Sequence, residues 1–245
     1  MQFDMDDEFW EAVEQCEMPG IPFKKYNNVN ELFTDQEFKD YLQEFWPTFA
    51  LNINSFHFQN GKLTQEVGKL RELGIIFLLD RYLGEISDYK PIDIENIAAN
   101  EKGKDWNMFS RGVSCKTITC SGGKVNNLKL SWMEDKDLCQ KFEDEYMPEF
   151  DLMLCKIKWD SSDEGFYYIS KEIQQEALDK LGRAECIRTS PKYGKGVVLA
   201  RVAVDYVTNH PNTLKIPIKM PVENRCVDLR NQLFDNWYKE KLEYV

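Results

Sequence analysis

An α+β fold is what this sequence predicts: a central mixed β-sheet flanked by helices, with a helical N-terminal part ahead of it. Two observations carry the prediction. Apolar residues recur at helical spacing over the first third of the chain, and from about residue 105 onward the period shortens towards two while β-branched and aromatic residues accumulate. Helices and strands in that order pack as layers around one sheet rather than as a bundle.

The elements follow in chain order. "DDEFWEAVEQCE" places Phe9, Trp10, Val13 and Cys16 on one helical face. "TDQEFKDYLQEFW" opens with Thr34 as an N-cap and Glu37 three positions on, the pattern of a capping box. Residues 62–84 predict a long helix with Val67, Leu70, Leu73, Phe77 and Leu78 in period and Gly84 as its C-terminal cap. The polar stretch 87–104 predicts a loop or surface insertion. "RGVSCKTITC" and "NNLKLSWM" predict strands joined by a hairpin turn at Gly122 and Gly123. A charged helix near 134–146 follows, then strands at "FDLMLCKIKW" and "GFYYIS", and a helix "KEIQQEALDKLG" ended by Gly182. "GVVLARVAVDYV" and "LKIPIKM" predict two more strands, and residues 224–242 a last helix. No repeat or low-complexity linker divides the chain; residues 1–60 are expected to form a helical extension or subdomain ahead of one larger unit, 61–245. Trp46, Trp159 and Trp237 are expected to pack, and His57, with no nucleophile motif beside it, to be structural.

Composition narrows the classes of function. An apolar fraction of 42% suits an ordinary globular protein, and no apolar run approaches the roughly 18 residues a membrane span needs. The acidic first residues carry no apolar h-region, so a cytoplasmic protein is expected. Seven scattered cysteines without a C-x-x-C pair, and only two histidines, predict neither a disulfide framework nor a zinc site. The net charge of −11 is uneven, since residues 1–40 hold eleven acids against three lysines. By contrast, the segment 183–196 predicts a basic loop, with Arg183, Arg188, Lys192 and Lys195 against Glu185 alone, of the kind that meets phosphates.

A lysine inside the strand "GVSCKTIT" asks for an explanation. Alternation puts Val113, Cys115 and Thr117 on one face and Ser114 and Lys116 on the other. Asp105, nine residues before Ser114, lies within reach of Lys116 if the chain bends between them. A carboxylate that holds a divalent metal and an ammonium that orients water and offsets phosphate charge are the parts of a phosphodiesterase site. A surface ion pair is the plainer alternative.

Asp105 and Trp106 open this segment, Gly112 and Val113 follow, and Ser114-Cys115-Lys116-Thr117-Ile118 occupy the strand. Upstream, Val67-Gly68 is followed four residues after the glycine by Glu72, and Leu83-Gly84 closes the helix. This arrangement resembles the catalytic core of the mismatch-repair nicking enzyme MutH and its type II restriction-endonuclease relatives, the PD-(D/E)XK nucleases, over about residues 60–240. Ser114 departs from the pattern, standing where the family carries a metal-binding Glu, and the interval from Glu72 to Asp105 is longer than the family's.

The resemblance implies a restriction-endonuclease-like fold and a Mg²⁺-dependent, sequence-specific endonuclease acting on double-stranded DNA as a monomer or homodimer. Asp105 would hold Mg²⁺, Glu72 would replace the missing strand carboxylate, with Glu134 the more distant candidate, and Lys116 would position the attacking water. Ser114 would add at most a neutral oxygen. Contacts to DNA would come from Arg183, Arg188, Lys192, Lys195, His210, Lys215 and Lys219, with Arg188 or Asn212 reaching base edges. The alternative reading is a catalytically impaired DNA-binding or regulatory protein on the same scaffold.

Overall fold

The computed structural model describes residues 26–56, 58–59, 62–63, 67–86, 105–119, 127–132, 136–157, 164–189 and 196–220. The expected helices before residue 20 and over 224–242 lie outside them, as do Glu134, His57, Trp159, Trp237, Lys192, Lys195 and the Gly122-Gly123 turn.

Three helices come first: α1 (Val29–Thr34), α2 (Gln36–Phe56) and α3 (Val67–Ile86). Asp35, not Thr34, caps α2: its Oδ1 accepts the N–H of Glu37 at 2.7 Å, whereas the Thr34 hydroxyl donates back to Asn30 and Glu31 carbonyls and ends α1. The long helix begins at Val67 rather than Lys62, because Lys62–Leu63 (β2) pairs with Phe58–Gln59 (β1). Gly84 therefore falls inside α3 and is not its cap.

A five-stranded mixed sheet runs in the order β10-β7-β6-β4-β3, made of β3 (Trp106–Met108), β4 (Arg111–Thr119), β6 (Asp151–Ile157), β7 (Gly165–Ile169) and β10 (Leu214–Pro217). Only the β4–β6 pairing is parallel. Gly165, at φ +141, permits the close approach of β10, since a Cβ there would collide with the Ile216 carbonyl. A second sheet, β5-β9-β8, comprises β5 (Leu128–Trp132), β8 (Ile187–Thr189) and β9 (Gly196–Leu199). The hairpin expected between β4 and β5 does not form. β4 takes β6 as its neighbour along its length and β3 only as far as Val113, while β5 pairs with β9 instead.

Two further expectations are corrected in this region. The segment "GVVLARVAVDYV" is not one strand: β9 stops at Leu199, and α7 (Arg201–Thr208) buries Ala203, Val204 and Val207 at helical spacing. Nor is 183–189 a loop. It forms the short helix α6 (Arg183–Cys186) and then β8, because Cys186 and Ile187 are fully buried. Helices α4 (Lys136–Glu145) and α5 (Lys171–Leu181) stand where the sequence predicts them.

Two cores result, one on each side of the five-stranded sheet. On one side α1, α2 and α3 pack against Val113, Cys115, Met153, Phe166 and Tyr168, with Trp46 buried among them. On the other, Ile118, Leu152, Leu154, Tyr167 and Ile169 meet α5, α7 and the small sheet. Residues on one strand are thus divided between cores by the alternation of the pleat.

Candidate active site

Strand β3 pairs with β4 over three residues only, Trp106 to Val113 at the inner end. Among the described residues no strand continues that pairing beyond Val113, so the backbone N–H groups of Cys115 and Thr117 face an open edge. Two carboxylates occupy it. Asp105, at the entrance to β3, accepts from the Cys115 N–H through Oδ2 at 2.6 Å, and Glu72, on α3, accepts from the Thr117 N–H through Oε1 at 3.2 Å. Helix α3 is tied to the strand beside them, with the Thr117 hydroxyl donating to the Gly68 carbonyl and Arg71 Nη1 donating to the Thr119 hydroxyl at 2.9 Å.

Lys116 lies between the two acids. Its Nζ is 3.3 Å from Asp105 Oδ2 and 4.0 Å from Glu72 Oε2, and it also donates to the Cys115 carbonyl at 2.8 Å. The Ser114 hydroxyl donates to the same Asp105 oxygen at 3.3 Å. The expected alternation holds: Val113 and Cys115 are fully buried, while Ser114 and Lys116 are half-buried on the other face.

Burial sets the electrostatics. It pushes the Glu72 carboxyl up to about 7, against the pull of Lys116 and with Asp105 adding to the rise. For Lys116, burial pulls downward, but Glu72 and Asp105 together outweigh it and hold the ammonium above its ordinary range. Lys116 is therefore a fixed cation at neutral pH, while Glu72 titrates. Burial, then the two acids, push the Cys115 thiol well up and leave it inert.

Asp105 and Glu72 supply hard carboxylate oxygens, the donors Mg²⁺ takes one or two at a time while keeping waters and a substrate phosphate. Ser114 adds a hydroxyl. Among the described residues there is no group of three or more His, Cys, Asp or Glu side chains placed to hold a metal, so the pair would need such external oxygens to complete a shell.

The other residues singled out from the sequence lie elsewhere. Lys215 is on β10, at the far edge of the sheet, three strand spacings or roughly 14 Å from β4; its Nζ sits 5.0 Å from the Tyr167 ring centre. Lys219, just past β10, exchanges backbone hydrogen bonds with the Gln43 side chain. His210 lies 3.4 Å from Glu176 and accepts the Asn212 N–H at Nδ1. Arg183 donates to the carbonyls of Tyr146, at 2.6 Å, and Glu143, tying α6 to the end of α4. Arg188 is exposed and pairs with Glu185 at 2.7 Å.

Two features of the structure stand outside the residues singled out from the sequence. Asp151, buried at the start of β6, accepts from the Arg111 guanidinium, the Tyr168 hydroxyl and the Lys171 N–H at 2.8 Å, and Glu172 joins Arg111 from outside at 3.0 Å. Lys129 on β5 couples electrostatically to Glu72. Its signal was present: a lysine between two leucines on an alternating strand faces away from their core.

A mixed sheet that carries two acids and a lysine on the open edge of one strand defines the class as a phosphodiester-cleaving nuclease of the restriction-endonuclease type. The family model for restriction endonuclease ThaI matches residues 32–239. The chain belongs to the ThaI restriction endonuclease family, and with it to the sequence-specific DNA endonucleases. The match starts ahead of residue 60, taking in α2 as well as the motifs that carry the resemblance. Among solved structures, a restriction endonuclease in complex with substrate DNA is 29% identical with a TM-score of 0.65, over 83% of this chain and 99% of that one. No curated protein matches the chain. Restriction endonucleases generally use divalent metal ions. Among the described residues no helix is long and apolar enough to cross a membrane.

Proposed function

We propose that this chain is a type II restriction enzyme that hydrolyses double-stranded DNA with Mg²⁺ in the cytoplasm, and that Asp105, Glu72 and Lys116 form its active site. The observation that carries the reading is the convergence of both carboxylates on one ammonium, within 3.3 and 4.0 Å, at a strand edge that no other strand pairs among the described residues. Mg²⁺ held by Asp105 and Glu72 would polarise the scissile phosphate and lower the pKa of a bound water.

The chain's own groups do the rest. The Lys116 Nζ donates to the attacking water and to a phosphate oxygen, offsetting charge as the phosphorus becomes crowded. The Ser114 hydroxyl keeps Asp105 Oδ2 oriented and supplies no anionic oxygen of its own. Glu72, arriving from α3, takes the place of the strand carboxylate that Ser114 lacks.

The test is cleavage of plasmid DNA with and without Mg²⁺ by the parent chain and by Lys116→Ala. Cutting by the parent alone, and only with the metal, is expected, with the variant at least a hundredfold slower. Equal cutting by Lys116→Ala refutes the assignment. Metal-independent retention of DNA on a gel by a parent that never cuts would favour the binding-only alternative, with Ser114 as the cause.

A further inference from the structure

A glycine inside a helix costs stability relative to alanine, so its presence there asks for a reason in packing, in conformation or in something that approaches closely. Helix α3 carries Gly68 in its first turn, in ordinary helical conformation rather than at positive φ. Two other glycines have their reason within the protein: a Cβ on Gly74 would collide with the Phe49 ring, and one on Gly165 with the Ile216 carbonyl. For Gly68 the described residues supply none. A Cβ built there meets no neighbouring atom within 4 Å, although the residue itself is half-buried. The missing side chain therefore leaves an opening in the surface rather than a fit inside it.

The opening borders the site. The Gly68 carbonyl accepts the Thr117 hydroxyl at 3.4 Å, and the Thr117 N–H donates to Glu72, which lies four residues on along the same face of α3. Gly68 is thus held against the stretch of β4 on which Glu72, Asp105 and Lys116 converge. Four helical residues advance about 6 Å along α3, and successive phosphates of one DNA strand advance about 3.4 Å along the duplex. A strand with its scissile phosphate at Lys116 and Glu72 passes Gly68 within one or two nucleotides of that phosphate. We propose that Gly68 is a clearance position for the DNA strand being cut, its bare Cα admitting the sugar–phosphate backbone of a nucleotide beside the scissile one. A side chain at this point holds the strand away from the two acids and the lysine. The inference rests on the nuclease reading above and adds to it a positioning residue that works through what it lacks.

The test compares the full-length parent with Gly68→Ala and Gly68→Leu, both good helix formers. Because the space is open in the free protein, both variants should melt about 1–4 °C above the parent, the gain expected when a helical glycine is replaced. Affinity for a DNA duplex in metal-free buffer should nevertheless fall, further for leucine than for alanine. With Mg²⁺, kcat/KM on plasmid DNA should drop about tenfold for alanine and about a hundredfold for leucine, the order of loss that a displacement of ~1 Å produces. The Mg²⁺ concentration for half-maximal cutting should stay at the parent's value, since Asp105 and Glu72 are untouched. Variants that bind and cut as the parent does overturn the inference while the nuclease reading stands. Variants that melt below the parent, or that shift the Mg²⁺ requirement without weakening duplex binding, overturn it as well, because the glycine then serves the fold or Glu72 rather than the strand. A parent that neither binds nor cuts DNA overturns both.

Discussion

Glu72→Gln should make the metal-free protein more stable and, at the same time, inactive. Burial raises the Glu72 carboxyl from an ordinary 4.5 to about 7. A group whose pKa is higher in the folded chain costs nothing below the unfolded value and destabilises progressively as pH climbs towards the folded one. The window is therefore about pH 4.5 to 7. Linkage across that interval gives a cost below ~1 kcal/mol at pH 5, about 2 at pH 6 and about 3 at pH 8. Glutamine keeps the oxygen that accepts the Thr117 N–H and cannot ionise, and Lys116 retains Asp105 at 3.3 Å. For a chain of this size ~3 kcal/mol corresponds to roughly 6–12 °C in melting temperature. Thermal unfolding of parent and variant in EDTA at pH 5, 6, 7 and 8 should show curves that nearly coincide at pH 5 and separate by that amount at pH 8. The same variant should fail to cut plasmid with Mg²⁺ present. A gap independent of pH, or a variant less stable than the parent at pH 8, would show that the raised carboxyl does not govern the difference.

Two further outcomes concern the frame that holds the site. Asp151→Ala removes the acceptor for the buried Tyr168 hydroxyl and the Lys171 N–H, while the partly exposed Arg111 can return to water; urea unfolding should show a loss of about 3 kcal/mol, and a loss under ~1 would mean the hub is dispensable. The β3–β4 turn places Phe109 and Ser110 at positive φ, 50° and 63°, where a two-residue hairpin usually has Asn-Gly. Ser110→Gly should therefore gain about 0.5–1 kcal/mol by the same measurement, with no gain expected if the turn opens in solution.

The strand around Lys116 was legible because its message is local. The period of two separates Val113 and Cys115 from Ser114 and Lys116 whatever the rest of the fold does, and the nine residues from Asp105 to Ser114 are enough for one hairpin. Partner choice was not local. Gly122 and Gly123 announce a turn but cannot say that β5 belongs to β9 rather than to β4. Residues 196–208 mislead for a different reason. Their valines favour strands in isolation, yet Ala203, Val204 and Val207 are worth more as a buried helical stripe against α5 than as a continued strand. That β5 lies beside β4 yet pairs with β9 depends on the placement of a whole sheet, which no window of sequence contains.

The short length of β3 has a bearing on how such a site changes over time. Among the described residues it begins only at Trp106, so two amide groups of β4 serve as fixed sockets for anionic oxygen, and a socket made of backbone does not depend on which segment delivers the acid. A glutamate from a neighbouring helix can dock where a strand residue once served, so on the proposed reading the carboxylate moves along the gene while hardly moving in space. The serine at 114 is then a relocated function, anchored by a part of the chain that mutation cannot edit.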